Sequence, residues 1–227
     1  MMSREEEERA KRHHYLNILL SAVYRGSLAP DHREDLKKSG LNPETIHMQR
    51  IRSVPPWLIP RLLGFNIPNI NSALLFPFPD PSDGFMDHVR MKIFPIITNR
   101  DTQTIKYLQP KNTGVRLFFP YQAMEEVLHG LNPLWLVEGE KKSLAVAQIG
   151  LPAVGFCGIE GWHRKGSIEL IPDFDHIPLK DRVVELVPDG DVQTNPFVRR
   201  GTERFSLALQ ARGARPRLVV LPGEVAA

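Results

Sequence analysis

Three carboxylates stand at the tips of two apolar runs. Leu134-Trp135-Leu136-Val137 leads into Glu138-Gly139, and Val183-Val184-Glu185-Leu186-Val187-Pro188 leads into Asp189-Gly190-Asp191. Each run reads as a buried parallel strand followed by helical sequence. Ligands of open α/β sheets bind beyond the carboxyl ends of the strands, so Glu138, Asp189 and Asp191 are expected to face one crevice. Unpaired, such neighbouring anions repel one another and resist ionisation, a penalty that a cation removes. Hard oxygen donors without clustered His or Cys favour magnesium or manganese and exclude zinc. Each signature also has an ordinary structural reading. Acidic residues suit the first turn of a helix, and Asp-Gly is a common turn pair.

The elements that must position these acids follow from pattern. From Pro133 onward strands and helices alternate: strand 134–138, helix 140–149, strands 152–156 and 183–187, helix 196–211 and strand 217–221, with Gly150 and Gly213 as helix stops. Upstream the character is mixed. Residues 3–24 suggest an amphipathic helix ending near Gly26. A short helix follows over 31–40, and Asn42-Pro43-Glu44 opens another, with Asn42 as its cap. Prolines crowd Pro55 to Pro81, which reads as loop around one strand, Ala73 to Phe78. Val89 to Phe94 alternates apolar and basic residues, so Arg90 and Lys92 share one face of an antiparallel strand. Thr104 to Leu108 and Leu117 to Phe119 read as further strands, and 121–129 as helix. The expected division is a tail or helix over 1–29, an α+β subdomain over 30–132, and a parallel α/β domain over 133–227.

Bulk properties narrow the classes. The 227 residues are 42% hydrophobic with a formal net charge of +3, which permits a nucleic-acid partner without requiring one. A single cysteine, Cys157, excludes an internal disulfide and a Cys-rich zinc ribbon, and reads as a small buried residue. The charged N-terminus is wrong for a signal peptide, and no apolar run is long enough for a membrane span. A cytoplasmic, soluble protein with no membrane partner is expected. No phosphate-loop or Gly-x-Ser-x-Gly pattern occurs, and His13, His14, His129, His163 and His176 lack metal-ligand spacing.

With those residues in view, the chain resembles the Toprim fold, and within it the catalytic core of bacterial-type DNA primases. It is similar in particular to the primase-like Toprim proteins of plasmids, phages and integrative elements. Leu36-Lys37-Lys38-Ser39-Gly40-Leu41-Asn42-Pro43-Glu44-Thr45-Ile46 resembles the helix pair that opens the primase core. Lys106-Tyr107-Leu108-Gln109-Pro110-Lys111 resembles the family's basic motif, with Arg90 on the preceding strand. Glu138-Gly139 and Asp189-Gly190-Asp191 correspond to the two acidic Toprim motifs.

The resemblance implies a Toprim-like, mostly parallel sheet flanked by helices, with an N-terminal mixed α+β subdomain. It implies that Glu138, Asp189 and Asp191 bind Mg2+ (or Mn2+) and promote phosphoryl transfer. Arg90 and Lys106 would contact nucleotide phosphates or a single-stranded DNA template. Lys92, Lys111, Arg116 and Lys141 are further expected phosphate contacts, and Trp162, in the glycine-rich segment 155–162, is a candidate for stacking on a base or for packing. Nucleoside triphosphates and a replicative helicase or another replication protein are the implied partners. Three departures matter: one cysteine cannot build the zinc ribbon usual in primases, no helicase-type domain follows, and the series of further acidic residues frequent in the family after the last strand is not present, so the chain is expected to be one module of a larger replication system or a truncated copy. Primer synthesis leads. A Toprim nuclease and a non-catalytic DNA-binding replication accessory are the alternatives.

Overall fold

The computed structural model describes residues 4–82, 86–98 and 102–220, the side chains at 4–6, 8, 9, 12, 86, 87 and 191 excepted. In chain order the elements are helices α1 (Arg4–Tyr24), α2 (Pro30–Lys38) and α3 (Pro43–Met48), strand β1 (Arg52–Val54), helix α4 (Ile59–Leu63), and strands β2 (Ser72–Pro79), β3 (Met86–Thr98) and β4 (Thr104–Leu108). Then come α5 (Met124–His129), β5 (Leu134–Glu138), α6 (Glu140–Ala147), β6 (Ala153–Phe156), β7 (Val183–Val187), α7 (Pro196–Ala211) and β8 (Arg215–Leu218). They form two compact units, one of residues 1–38 and 42–113, the other of residues 39–41 and 114–227.

The first unit is built on an antiparallel sheet of order β1-β2-β3-β4. Alternation sorts its faces. Ala73 and Leu75 of β2 pair in register with Ile93 and Met91 of β3, and these pack with Leu16, Leu20 and Val23 of α1 and Leu62 of α4. On the opposite face lie Leu74 and Phe76 with Arg90 and Lys92. α2 is tied to the sheet by His32, which is fully buried and lies 2.8 Å from the Ser53 hydroxyl and 3.0 Å from that of Ser72. Ser53 also accepts the Ala29 N–H at 2.7 Å, and its hydroxyl and that of Ser72 can each donate to or accept from the ring, so either neutral tautomer is accommodated. A neutral imidazole satisfies this network. Burial pushes the His32 pKa down, Asp31 and Asp35 pull it up, and Lys92 adds to the lowering.

The second unit carries a wholly parallel sheet of order β6-β5-β7-β8. Its core joins Leu134 and Leu136, Val154 and Phe156, and Val184 and Leu186 to Phe205 and Leu209 of α7. Arg182, 3% exposed, enters β7 and staples the segment before β5. Its Nε donates to the Asn132 carbonyl at 2.8 Å, Nη1 to Val127 at 2.7 Å and Nη2 to Glu126 at 3.0 Å. Two of these carbonyls belong to the last turns of α5, where a cation also complements the helix dipole.

The expected α/β class, with a mixed N-terminal part and a parallel sheet flanked by helices, is the observed one. Local corrections are few. The proline-rich stretch contains α4 and a preceding single 3-10 turn, Pro56–Leu58. Phe118 makes only an isolated bridge to Gly155 in place of a strand over 117–119. β8 begins and ends earlier than the expected 217–221, because its Arg-Pro-Arg start is held by pairing with β7 and not by apolar character. Among the described residues no helix is long and apolar enough to cross a membrane.

Candidate functional site

Strand order decides where a ligand would sit in the parallel sheet. From β5 the chain steps to β6 on one side, then crosses to β7 on the other side and continues outward to β8. The order therefore reverses between β5 and β7, and the crevice of such a sheet opens at that reversal, beyond the carboxyl ends. Glu138 ends β5, and Asp189 lies two residues beyond the end of β7, whose Val187 pairs with Val137. Although the two acids are 51 residues apart, Glu138 Oε2 accepts the Asp189 N–H at 2.8 Å. The second acidic turn is thus fastened to the carboxylate of the first.

Gly139 makes this geometry possible on the β5 side. Its φ of 95° lies in the left-handed region, where a Cβ is strained, and its N–H donates to the Phe156 carbonyl at 2.9 Å. The chain turns directly from strand into α6, so Glu138 stays at the strand tip while Glu140 turns inward. Glu140 is 2% exposed and accepts from the Cys157 thiol at 3.5 Å. It is a buried acid beside the site that sequence reasoning assigned no role. Lys142, one turn into α6, forms an ion pair with Asp189. Lys142 was also missed, because its partner lies 47 residues away and only strand adjacency brings them together.

Glu138 and Asp189 fit a hard divalent cation in donor chemistry, and the ammonium of Lys142 already stands against Asp189 as a cation. Among the described residues no set of three His, Cys, Asp or Glu side chains is arranged to hold a metal, and the Asp191 side chain lies outside them. Its backbone is in the 3-10 turn Gly190–Gln193 that follows Asp189.

The basic residues divide by surroundings. In the first unit the Arg90 guanidinium lies 4.9 Å from the centre of the Tyr107 ring. Alternation along β4 turns Lys106 to the side opposite Tyr107, so Arg90 and Lys106 project from opposite sides of the sheet. Lys106 and Lys111 are exposed, with no carboxylate paired to either among the described residues. Lys92 shares Arg90's face as expected, but it is ion-paired to Asp35 and sits over the Phe94 ring. Its charge is therefore largely spent within the unit.

In the second unit, Arg116 donates from Nε to Asp173 at 2.9 Å, and the same carboxylate oxygen accepts the Leu117 N–H at 2.7 Å. Arg116 braces a loop there. Lys141 is half-buried in the first turn of α6. Trp162 corrects the stacking expectation: it is 1% exposed and lies parallel to Phe205 at 5.1 Å, so its ring belongs to the core and has no face open to a base. His163 beside it is held by Glu160 at 2.6 Å. Cys157, read as buried, is half-buried.

A family model for a domain of unknown function, DUF3854, matches residues 125–225. No curated protein matches the sequence. Among solved structures, the chain is similar to the Aquifex aeolicus primase (zinc-binding and RNA polymerase domains), at 16% identity and a TM-score of 0.67, covering 98% of this chain and 57% of that one. It is also similar to the RNA polymerase domain of Mycobacterium tuberculosis primase DnaG, at 15% identity and a TM-score of 0.67 over 99% of this chain and 78% of that one. A DnaG primase catalytic domain bound to single-stranded DNA matches at 20% identity and a TM-score of 0.62, over 96% and 75%. The chain spans little more than half of the Aquifex structure, and at these identities the likeness establishes the fold: this chain is folded as a primase catalytic core.

Proposed function

We propose that the chain is a primase-like, Toprim-type nucleotidyltransferase that makes or extends short primers on single-stranded DNA, with Glu138, Asp189 and Asp191 as its metal ligands. The observation that carries this reading is the hydrogen bond from the Asp189 N–H to Glu138, which joins two acidic strand ends at the reversal of a parallel sheet. Magnesium, or manganese in its place, would supply charge neutralisation at the phosphates of a nucleoside triphosphate. The chain's own contribution is positional. Gly139 holds Glu138 at the strand tip, and the Asp189 N–H fixes the rotamer of that carboxylate. Lys142 holds the Asp189 carboxylate in an ion pair at the site. Arg90, Lys106 and Lys111 are proposed contacts for template or nucleotide phosphates.

Support also comes from the single-stranded DNA bound by a structurally similar primase domain. The plasmid, phage or integrative-element setting, and a helicase or other replication partner, belong to the same proposal. The test is primer synthesis on single-stranded template with labelled nucleotides and magnesium, for the wild type and for Asp189→Ala combined with Asp191→Ala. Labelled products that vanish in the double variant support the assignment. Products that persist in it sink the assignment, and nicking of plasmid DNA without nucleotide incorporation would replace it with a nuclease.

A further inference from the structure

A second concave site lies wholly within the first unit. Tyr24 at the end of α1, His47 and Met48 at the end of α3, Arg50 in the turn before β1 and Arg52 at its start line an open depression of about 460 Å³. Among the described residues no carboxylate lines it. The charge is also unspent: among the described residues neither Arg50 nor Arg52 forms an ion pair. Arg50 lies with its guanidinium 6.0 Å from the centre of the Tyr24 ring, and Arg52 uses Nη1 on its neighbour's carbonyl, Ile51, at 2.9 Å. His47 is exposed and adds a ring nitrogen on the same wall. Arg50 occupies this position with a φ of 55°, a conformation glycine or asparagine would adopt at lower cost.

An exposed hollow lined by two unneutralised guanidiniums and an imidazole concentrates positive potential. Planar guanidinium forks match the paired oxygens of a phosphate, and the Tyr24 and Met48 side chains supply an apolar wall for the group that phosphate carries. We propose that this depression is a phosphate-binding site for a nucleotide unit, formed by Arg50 and Arg52 with His47 and Tyr24, and separate in sequence from Arg90, Lys106 and Lys111. The phosphate can come from a single-stranded oligonucleotide or from a free nucleoside triphosphate, and the two are separable by titration.

The experiment uses the whole chain in EDTA, so its outcome does not depend on the acidic residues or on catalysis. Binding of a fluorescent single-stranded 12-mer and of a fluorescent nucleoside triphosphate is measured by anisotropy for the wild type and for Arg50→Gln combined with Arg52→Gln. Thermal unfolding of both proteins controls for folding, and Arg50→Asn with Arg52→Gln is a second version that relieves the backbone at position 50. If the source is a strand, oligonucleotide affinity falls at least about tenfold, and the slope of log affinity against log salt flattens by about 1.4, or about 0.7 for each phosphate no longer neutralised. If the source is free nucleotide, the triphosphate loses affinity at least about tenfold and the oligonucleotide does not. Unchanged affinity for both probes in folded variants overturns the site. Loss of primer synthesis with binding intact would count against the proposed catalytic function and not against this depression.

Discussion

Arg182→Met removes a side chain that ties the entry of β7 to the segment leading into β5, the two strands that carry the acidic tips. Three hydrogen bonds from a charged donor disappear, and each such bond contributes about 1.5–3 kcal/mol net. The bond to Val127 is buried, while those to Glu126 and Asn132 are partly buried and leave carbonyls that water can reach. Discounting those two gives a destabilisation of about 3–5 kcal/mol, in the range for breaking a buried polar network. At about 2–4 °C per kcal/mol, the melting temperature should fall by about 6–20 °C. Arg182→Lys keeps a cation near the end of α5 but offers one point donor for three divergent carbonyls, so about half of that loss should remain. Burial lowers the Arg182 pKa and Glu126 raises it, but a guanidinium stays charged through the working range, so the effect should not vary with pH. Differential scanning fluorimetry reads all three proteins. A melting temperature for Arg182→Met within about 3 °C of wild type would refute the claim that the fork holds the two strands in place, and an undiminished Arg182→Lys would reduce its role to charge alone.

Lys142→Met should tighten divalent-cation binding, because it removes the ammonium that competes for Asp189; both partners are about half exposed, so the gain is at most about 1 kcal/mol, or about fivefold. Calorimetric titration with manganese measures it, and weaker binding would show that Lys142 assists the cation. His32→Gln should flatten the acid dependence of stability. The folded-state pKa of His32 is depressed, so the unfolded chain takes up the proton first, and stability is complete above about pH 6.5 and declines as pH falls below it. Melting curves at pH 5.0, 6.0 and 7.5 test this, and an equally steep decline in the variant would assign it elsewhere. Gly155→Ala should cost about 1–3 kcal/mol, because the new Cβ would lie 2.7 Å from the Ser143 hydroxyl and 3.1 Å from the Phe118 Cβ in a fully packed region. Adding Ser143→Ala should recover part of the loss, and a double variant no better than the single would locate the clash at Phe118.

Legibility in the sequence tracked how local the determining physics is. Asn42, Pro43 and Glu44 announce a helix start on their own, and the structure has the Asn42 side chain accepting the Thr45 N–H at 2.8 Å. The apolar runs before Glu138 and Asp189 are legible because their inward residues are fully buried while Trp135 and Glu185 on the other face stay half-buried. α4 was hidden because Pro60 reads as a breaker, although it occupies the first turn, where its missing N–H costs nothing. β8 lacks an apolar signal and exists through its register with β7. Side-chain pairing is the least local property and was the least legible. Nothing near Lys92, Arg116 or Lys142 reveals Asp35, Asp173 or Asp189, and the glycines around Trp162 suggest an open loop while Phe205, 43 residues on, closes over the indole. The acids could be read as neighbours because two strand ends and one topological rule suffice. The cations could not be sorted, because a surface lysine and a committed one differ only in what the fold brings to them.

Catalysis as proposed requires Glu138 and Asp189 to share a divalent cation. Calorimetric titration of the full chain with manganese, compared with Glu138→Gln combined with Asp189→Asn, tests this most directly. Saturable uptake by the wild type that weakens at least about tenfold in the variant is the expected outcome. No uptake by the wild type, or the same affinity in both proteins, would refute the shared cation.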